Sequence, residues 1–518
     1  MFTLENMLFY DKTFNDKHTL GVTLLQSIQE DKKENVNVAM ENLPADNLKY
    51  YDLGSGLVTN TIGSSMIKWN MASFMGRINY NYLGRYLLTV SARYDGSSRL
   101  ADGHKWVLFP SAALAWRINE ESFMSSTSGW LDNLKLRLGF GKTGNSAVDP
   151  YQTKGTLSLI RYPFDNGGTP TIGYAPNAMA NSLLTWETTD QWNLGIDFGV
   201  LRGRINGTID LYMQNTHDLL LKRQLPVVSG FPDVLSNVGK TRNKGIEVSI
   251  NSMNINSKDF QWTTDLMLSS NKEEIVELYN GKNDDIGSKW FIGQPVNVHY
   301  DYRKVGIWQN TESDLAEMAK FAANGTEFAP GDIKIQDVNG DYKITDADKQ
   351  ILGNPRPKLI ASMVNTFNYK GFDLSVFLYA SFGAMLYNDI YALEHCGRNG
   401  GVKVDYWTPN NPTNAYPRPS IDEERPIYIT STYYEKADFL RVKTMTLGYT
   451  LPKTLTNKFL VEKLRVYFTA QNPFIFTNYT GIDPEAAKVN SAGNPETNGS
   501  GFGTPSVSSW IFGINLTL

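Results

Sequence analysis

The chain has 518 residues, and 49 Lys and Arg against 53 Asp and Glu give it a formal net charge of −4. A charge this near zero means that the chain has no excess of basic residues of the kind that binds nucleic acid. A hydrophobic fraction of 41% argues against disorder. No run approaches the length of an apolar transmembrane helix, but a membrane β-barrel stays open because only alternate residues of its strands face lipid. The aromatic share, 12%, is the unusual value.

The first residues, MFTLENMLFYDKTF, lack the basic start and apolar core of a signal peptide. We therefore expect either a cytosolic protein or a chain that is not the whole gene product. The single cysteine, Cys396, excludes an internal disulfide and a cysteine-based zinc site.

Alternation with a period of two residues recurs along the chain and predicts β-strands. Apolar residues share one face from Phe74 to Tyr82, and after a turn at Leu83 and Gly84 they do so again from Tyr86 to Tyr94. Further strands are predicted in the same way within 134–141, 191–198, 205–213, 246–251, 260–269, 372–380, 464–470 and 510–518.

Two features favour a transmembrane antiparallel β-barrel over a soluble sandwich, jelly roll or propeller. The strands reach about ten residues, which spans a bilayer when tilted. The connections also alternate between short and long, as in outer-membrane barrels. Short turns are predicted near 14–17, 83–85, 200–203, 254–259 and 370–371, with intermediate links near 119–133 and 450–463. Long segments are predicted near 30–70, 95–106, 143–188, 218–242, 271–357, 383–436 and 473–505.

The strand count carries a topological consequence. The alternation gives about 15 strands, as seven short-linked pairs and a final strand. In such a meander the first and last strands run in the same direction and cannot close an antiparallel barrel, and open edges in lipid leave backbone groups unsatisfied. We therefore expect residues 1–518 to be the C-terminal part of a larger barrel.

The sequence DVNGDYKITDAD, residues 337–348, has the spacing of a calcium loop. Hard cations need several converging oxygen ligands, and the predicted ligand positions 1, 3, 5, 7, 9 and 12 are held by Asp337, Asn339, Asp341, Lys343 (through its carbonyl), Thr345 and Asp348. Two departures weaken the match, because Tyr342 stands where glycine normally makes the turn and Asp348 replaces a bidentate glutamate. A solvated acidic turn is the alternative to a Ca²⁺ site.

Aromatic residues crowd the predicted long loops, where they could stack on sugars, form membrane-interface girdles or build loop cores. They are Trp290, Phe291, Tyr300, Tyr302, Trp308, Tyr406, Trp407, Tyr416, Tyr433 and Tyr434. We expect no enzyme, because the five histidines lack metal spacing and the neighbours His395 and Cys396 would point opposite ways on a strand. The end of the chain, with Gly513, Leu516 and Leu518, suits recognition by outer-membrane insertion machinery.

Several longer stretches carry a family resemblance. They are ASFMGRINYNYLGRYLLTVSARYDGSSRL, FPSAALAWRI, LKLRLGFGKTGN, TWETTDQWNLGIDFGVLRGRINGTIDLY, NVGKTRNKGIEVSI, GDIKIQDVNGDYKITDADKQILGNPRPK with YKGFDLSVFLYASFG, ADFLRVKTMTLGYTLP and LRVYFTAQNPFIFTNYTGIDPE. In this order they resemble the SusC/RagA-type TonB-linked outer-membrane transporters of Bacteroidota. The match spans nearly the whole chain and is more specific than any single motif.

The resemblance implies an outer-membrane barrel of about 22 strands, with an N-terminal plug and a TonB-contacting segment that would precede the matched region. It also implies a SusD-like surface lipoprotein as partner and import of an oligosaccharide or a peptide. Residues 271–357 would then be a long extracellular excursion that carries the calcium-type loop. Two other readings stay open: an extracellular carbohydrate-binding or hydrolytic β-protein, and a surface barrel that does not transport.

Overall fold

A computed structural model describes residues 1–45, 47, 49–162, 171–388, 403–419, 426–456, 458, 461–485 and 506–517. Its dominant element is one antiparallel sheet of 15 strands, each paired with the strands before and after it in the sheet. These strands are β1 (Phe2–Phe14), β2 (His18–Glu41), β3 (Val58–Tyr82), β4 (Tyr86–Ser97), β5 (Trp106–Arg117), β6 (Leu131–Asn145), β9 (Glu187–Val200), β10 (Ile205–His217), β13 (Lys240–Asn256), β14 (Phe260–Glu277), β19 (Leu359–Tyr369), β20 (Phe372–Phe382), β23 (Phe439–Thr450), β24 (Lys463–Thr477) and β25 (Ser509–Thr517).

Shorter elements lie in the long connections of this sheet. The short strands pair only with each other, and they are β7 (Thr156–Tyr162), β8 (Thr171–Ala178), β11 (Leu220–Gln224), β12 (Asp233–Asn237), β15 (His299–Asp301), β16 (Lys304–Ile307), β17 (Ile333–Ile335), β18 (Gln350–Gly353), β21 (Met385–Tyr387) and β22 (Tyr434–Lys436). The α-helices are α1 (Glu312–Ala323) and α2 (Lys453–Thr456). Turns of 3₁₀-helix cover Leu53–Ser55, Ile118–Glu120, Ser122–Thr127, Val227–Ser229, Asp346–Asp348 and Ile429–Thr432.

The predicted short turns are confirmed. The hairpin between β3 and β4 turns at Leu83 and Gly84, which both have positive φ, at 57° and 68°. The hairpin between β1 and β2 turns in the same way at Asn15 and Asp16, with φ of 50° and 52°. Two consecutive residues of positive φ form the turn whose twist matches that of the flanking strands, so these tight turns hold the strand register.

The two faces of the sheet are exposed in the opposite sense to those of a soluble protein. On β4, Val90 and Tyr94 are 44% and 45% exposed, whereas Asp95 on the alternate face is 6% exposed. A soluble sheet buries its apolar face against a core. Here the apolar face is bare, which is the pattern of a sheet whose outer face contacts lipid.

Two rows of stacked aromatic rings cross this outer face. One row, near the short turns, joins Tyr82, Tyr86 and Trp116, and the other joins Tyr94 and Trp106 with Phe74. Phe74 and Tyr82 are both on β3 and eight residues apart, which is about 27 Å along a strand and, at the usual tilt, close to the ~25 Å apolar band of an outer-membrane barrel. The rows therefore occupy the positions of the two interface girdles. Among the described residues, no helix is both long and apolar enough to cross a membrane.

One predicted loop is wrong in extent. The segment near 30–70 was expected to be a long connection, but β2 continues to Glu41 and β3 already begins at Val58. Strands 24 and 25 residues long exceed the expected length because the ladder between them runs on past the neighbouring strands. The pairing of β1 with β2 ends at Glu30 of β2, and the pairing of β4 with β3 ends at Met71 of β3. Beyond these residues the β2–β3 pair is a two-stranded ribbon.

The edges of the sheet agree with the parity expectation. Among the described residues, β1 pairs only with β2, and β25 pairs only with β24. As the first and fifteenth strands of a sequential antiparallel sheet, they run in the same direction. An antiparallel contact between them is therefore impossible without an odd number of further strands.

Candidate functional site

Two long connections of the sheet fold together into one unit, which we call the loop body. It comprises residues 278–358, between β14 and β19, and the described residues of 383–438, between β20 and β23. One buried cluster takes Ile307, Ile333 and Ile335 from the first connection and Trp407, Ile429 and Tyr433 from the second. Burial of this shared apolar surface holds the two connections together.

Helix α1 provides a second core within the loop body. Its N-terminus is capped by Thr311, whose side chain accepts a hydrogen bond from the Asp314 amide, and such a cap satisfies a backbone donor that the helix leaves free. Met318 and Phe321 lie three residues apart, on the same face of the helix, and pack against Trp308, which is 0% exposed. The helix is also tied to β17, because Lys334 pairs with Asp314 and Glu317 of α1.

Polar contacts also cross between the two connections. Trp407 Nε1 donates to Gln309 Oε1 at 2.9 Å, and Tyr434 Oη donates to Asp301 Oδ2 at 3.0 Å. His299, 4% exposed, makes a 2.8 Å hydrogen bond from Nε2 to the carbonyl of Met385. Since a carbonyl only accepts, Nε2 carries the proton.

Burial changes the acidity of several groups in the loop body. Burial lowers the pKa of His299, and it lowers the pKa of Lys304 to about 8. Burial, with nearby Asp346, raises the pKa of Tyr302 to about 12, and it likewise raises the pKa of Tyr434 beside Asp301. In each case the charged form is disfavoured because solvating water has been removed.

The calcium-type loop lies in the loop body, and its side chains are held by the loop's own backbone. Asp337 accepts from the amides of Gly340 and Tyr342 at 2.7 and 2.8 Å. Asp348, 0% exposed, accepts from the amides of Val338 and Thr345 at 2.9 and 2.8 Å.

The other predicted ligands follow the same pattern. Asn339 Oδ1 accepts from the Asp341 amide at 3.0 Å, and Asp341 Oδ1 accepts from the Lys343 amide at 2.8 Å. These bonds fix the turn through short side-chain-to-backbone contacts. Tyr342 has a φ of 58°, so it adopts the left-handed conformation for which a calcium loop normally uses glycine.

The donor set of this loop consists of oxygens, which suits a hard cation. Each carboxylate oxygen that accepts one backbone amide retains a second lone pair. Within the described ranges, no group of three or more His, Cys, Asp or Glu side chains has the arrangement of a metal site. Any Ca²⁺ shell would therefore need further oxygens, from the Asn339 side chain and from backbone carbonyls, beside those of the carboxylates.

The loop aromatics form mainly a core. Trp308, Tyr433, Trp407 and Phe291 are at most 8% exposed, whereas Tyr406 is 45% exposed. Of the three roles considered from sequence, the loop-core role accounts for the four buried rings. The period-two pattern could not predict this, because Trp407 and Tyr433 are buried by contacts between the two connections and Trp308 is buried by helix α1.

The inner face of the sheet carries paired charges. Arg137 binds Asp197 at 2.8 Å and Asp210 at 3.0 Å, and Arg465 binds Asp373 at 2.5 Å. Asp197 lies on the neighbouring strand, whereas Asp210 and Asp373 each lie two strands away from their arginine, so the pairs tie several strands together on the face opposite the lipid. Arg441, 4% exposed, pairs with Asp483 at 2.5 Å and fixes the segment that follows β24.

The pair His395 and Cys396, together with Leu518, lies outside the described residues. The stretch GFGKTGN, which lacks Walker spacing, forms part of strand β6. Asp284 and Asp285 accept hydrogen bonds from the amides of Ile292 and Ser288, respectively. They therefore shape a turn of the loop body.

Taken together, the sequential antiparallel meander, the bare apolar face between aromatic rows and the elaborate long connections define an outer-membrane β-barrel protein. A family model described as TonB dependent receptor-like, beta-barrel, matches residues 5–472. The chain belongs to this family and is of its SusC/RagA type. It is an outer-membrane protein, and its relatives are receptors and transporters rather than enzymes.

Individual relatives agree with this assignment. The chain is 32% identical to TonB-dependent receptor P3 of Formosa agariphila, over 99% of this chain and 52% of that protein. It is 35% identical to TonB-dependent receptor SusC of Bacteroides thetaiotaomicron, over 80% of this chain and 41% of that protein. The structure of the RagAB peptide transporter superposes with a TM-score of 0.82 at 22% identity, covering 99% of this chain and 55% of that one. The chain thus spans about half the length of the relatives it matches.

Proposed function

We propose that the chain is the C-terminal barrel part of a TonB-dependent nutrient importer that takes up an oligosaccharide or a peptide with a SusD-like surface lipoprotein. The sheet edges carry this proposal, because β1 and β25 run in the same direction and an odd number of further strands must close the barrel. The length of the relatives leaves room for those strands and for a plug. In this arrangement the loop body lies outside the cell and residues 271–357 are an extracellular excursion.

Uptake tests the transport step. Cells that produce the full-length protein are given a fluorescent oligosaccharide mixture or a fluorescent peptide mixture, with TonB intact or deleted. We expect accumulation of one of the two classes, and its loss without TonB. Accumulation of neither class, or uptake that persists without TonB, would contradict the proposal.

The topology has a test of its own. Native protein is extracted from outer membranes in detergent, and its length and heat-modifiable migration are measured together. A folded species much longer than 518 residues supports the proposal. A closed, heat-modifiable barrel made of these 518 residues alone would refute it. Copurification of a surface lipoprotein with the tagged protein, in mild detergent, tests the partner.

We also propose that the loop of residues 337–348 binds Ca²⁺. Asp337, Asn339, Asp341, Thr345 and Asp348 would supply side-chain oxygens, and Lys343 would supply its carbonyl. The left-handed Tyr342 and the buried Asp348 support the proposal, because the loop has the required turn before any cation enters. The ion would contribute positive charge that neutralises the loop carboxylates.

Calorimetric titration of the native, full-length protein with CaCl₂ tests this site. We expect saturable heat that Asp337→Ala abolishes. Asp346→Asn is the matched control, because Asp346 stands in the same loop at a non-ligand position and pairs with Lys349. An absence of heat in the wild type, or equal heat in the Asp337→Ala variant, would show that the loop is an acidic turn and no more.

A further inference from the structure

A cavity of about 690 Å³ opens on the loop body beyond the C-terminal end of α1. Its wall is built by residues 325–333, by Ile344, and by residues 417–418 and 426–428 of the second connection. This volume lies within the usual range for small-molecule sites. Ile344 is the one described residue of the calcium-type loop that lines the cavity, and it is not a predicted ligand.

Two aromatic rings in the cavity wall are held rigidly. Phe328 packs on Trp308 and Phe321 at centroid distances of 5.6 and 5.4 Å. Tyr428 packs edge-on against Tyr302 at 5.0 Å and lies 6.4 Å from Phe328. Tyr428 also has a φ of 63°, and a bulky residue in this strained conformation is typical of ligand sites.

Charged side chains of mixed sign line the same cavity. Arg418 Nε donates to Asp332 Oδ1 at 2.9 Å, while Asp332 Oδ2 accepts from the Ala329 amide at 2.8 Å. Glu327 is exposed. The cation of Arg418 is balanced by Asp332, so the described residues of the wall offer no positive excess to an anionic ligand.

We propose that this cavity binds a neutral sugar ring of an incoming oligosaccharide, an inference that rests on the proposed importer function and selects one of its two substrate classes. A sugar ring presents an apolar C–H face, which suits Phe328 and Tyr428. Its hydroxyls both donate and accept, which suits the carboxylate of Glu327 and the guanidinium of Arg418.

A peptide fits this cavity less well. Extended peptides commonly bind by adding a strand to an open sheet edge. Among the described residues of the cavity wall, only Ile333 of β17 belongs to a strand, and it already pairs with Ile307 of β16. The wall is otherwise made of loop residues, so side-chain chemistry rather than backbone pairing would select the ligand.

Calorimetry on the full-length protein, purified with its partner in detergent, tests the site. The probes are neutral hexasaccharides of glucose, xylose and mannose, with hexa-alanine as the peptide comparison. We expect at least one hexasaccharide to bind, and Glu327→Gln to weaken that binding at least tenfold. Glu312→Gln, an exposed glutamate at the start of α1, is the matched control and should leave the affinity unchanged.

Phe328→Leu is the second variant, and it should weaken binding while leaving the protein resistant to protease. Binding of hexa-alanine alone, no heat from any hexasaccharide, or wild-type affinity in both cavity variants would overturn the inference. If the protein binds the sugar but is shown not to import it, the binding site is supported and only the importer function is contradicted.

Discussion

The membrane sheet and the loop body fold in different surroundings, because lipid surrounds the first and water surrounds the second. In the sheet, apolar side chains such as Ile78, 50% exposed, cover no protein core, and the strands are joined by backbone ladders. In the loop body, Trp308 and Phe321 are 0% and 2% exposed and pack as in a water-soluble domain. The same aromatic residue types therefore point outward in one region and inward in the other, because water surrounds only the second.

This contrast predicts that a substitution in one region should leave the other region folded. The loop body should lose stability when a cavity is made in its core. The sheet should lose stability when a charge is placed against lipid or when a strand contact is overpacked.

Trp308→Ala should cost the loop body about 3–5 kcal/mol, because it removes a fully buried ring and leaves a cavity. Limited proteolysis of the full-length protein should then cut within 278–358 while heat-modifiable migration of the barrel persists. Trp290→Ala, at a partly buried ring of the same connection, is the control. Loss of heat-modifiability in the Trp308→Ala variant would show that the two regions are not independent.

Ile78→Arg should destabilise the sheet by about 2–4 kcal/mol, because it places a cation against the centre of the lipid band. Asn79→Arg is the matched control, since Asn79 is the next residue of β3 and faces the opposite side. Denaturant unfolding in lipid vesicles would measure both. Equal losses in the two variants would contradict the assignment of the faces.

Gly513→Ala should cost about 1–3 kcal/mol through overpacking. A Cβ on Gly513 would lie 2.2 Å from Cζ of Tyr467, whose ring lies across the last strand. The same vesicle unfolding assay applies, and the added change Tyr467→Leu should restore part of the loss. A loss unrelieved by Tyr467→Leu would show that Gly513 matters for a reason other than this close approach.

Acidification should loosen the loop body without affecting the sheet. Burial lowers the pKa of His299, so the unfolded chain binds a proton before the folded one does. The stability that the neutral ring provides is complete above the ordinary pKa of about 6.5 and falls by at most about 1.4 kcal/mol for each pH unit below it.

Proteolysis rates between pH 7 and pH 5 would measure this effect. His299→Gln should remove the pH dependence, because its amide keeps a donor for Met385 but does not titrate. His104→Gln, outside the loop body, should leave the dependence as it is. A pH dependence that survives in the His299→Gln variant would assign it to another group.

Sequence patterns predicted the sheet well because its faces obey a local rule. Strand alternation from Phe74 to Tyr94 and the turn at Leu83 and Gly84 are visible in neighbouring residues. The end of β2 was not predictable, because residues 31–41 carry little alternation and are extended only through pairing with β3. The predicted oxygen ligands of residues 337–348 were visible by spacing, but the left-handed Tyr342 was not.

By itself, the sequence determined where much of the large sheet lies, which face of those strands is apolar, and that the first and last strands run in the same direction. These properties follow from the period of two residues and from strand parity. Only the tertiary structure decided that residues 278–358 and the described residues of 383–438 form one body, that most of their aromatics form a core, and that Tyr467 requires a glycine opposite it. Those features depend on contacts between residues far apart in the chain, and no local pattern encodes them.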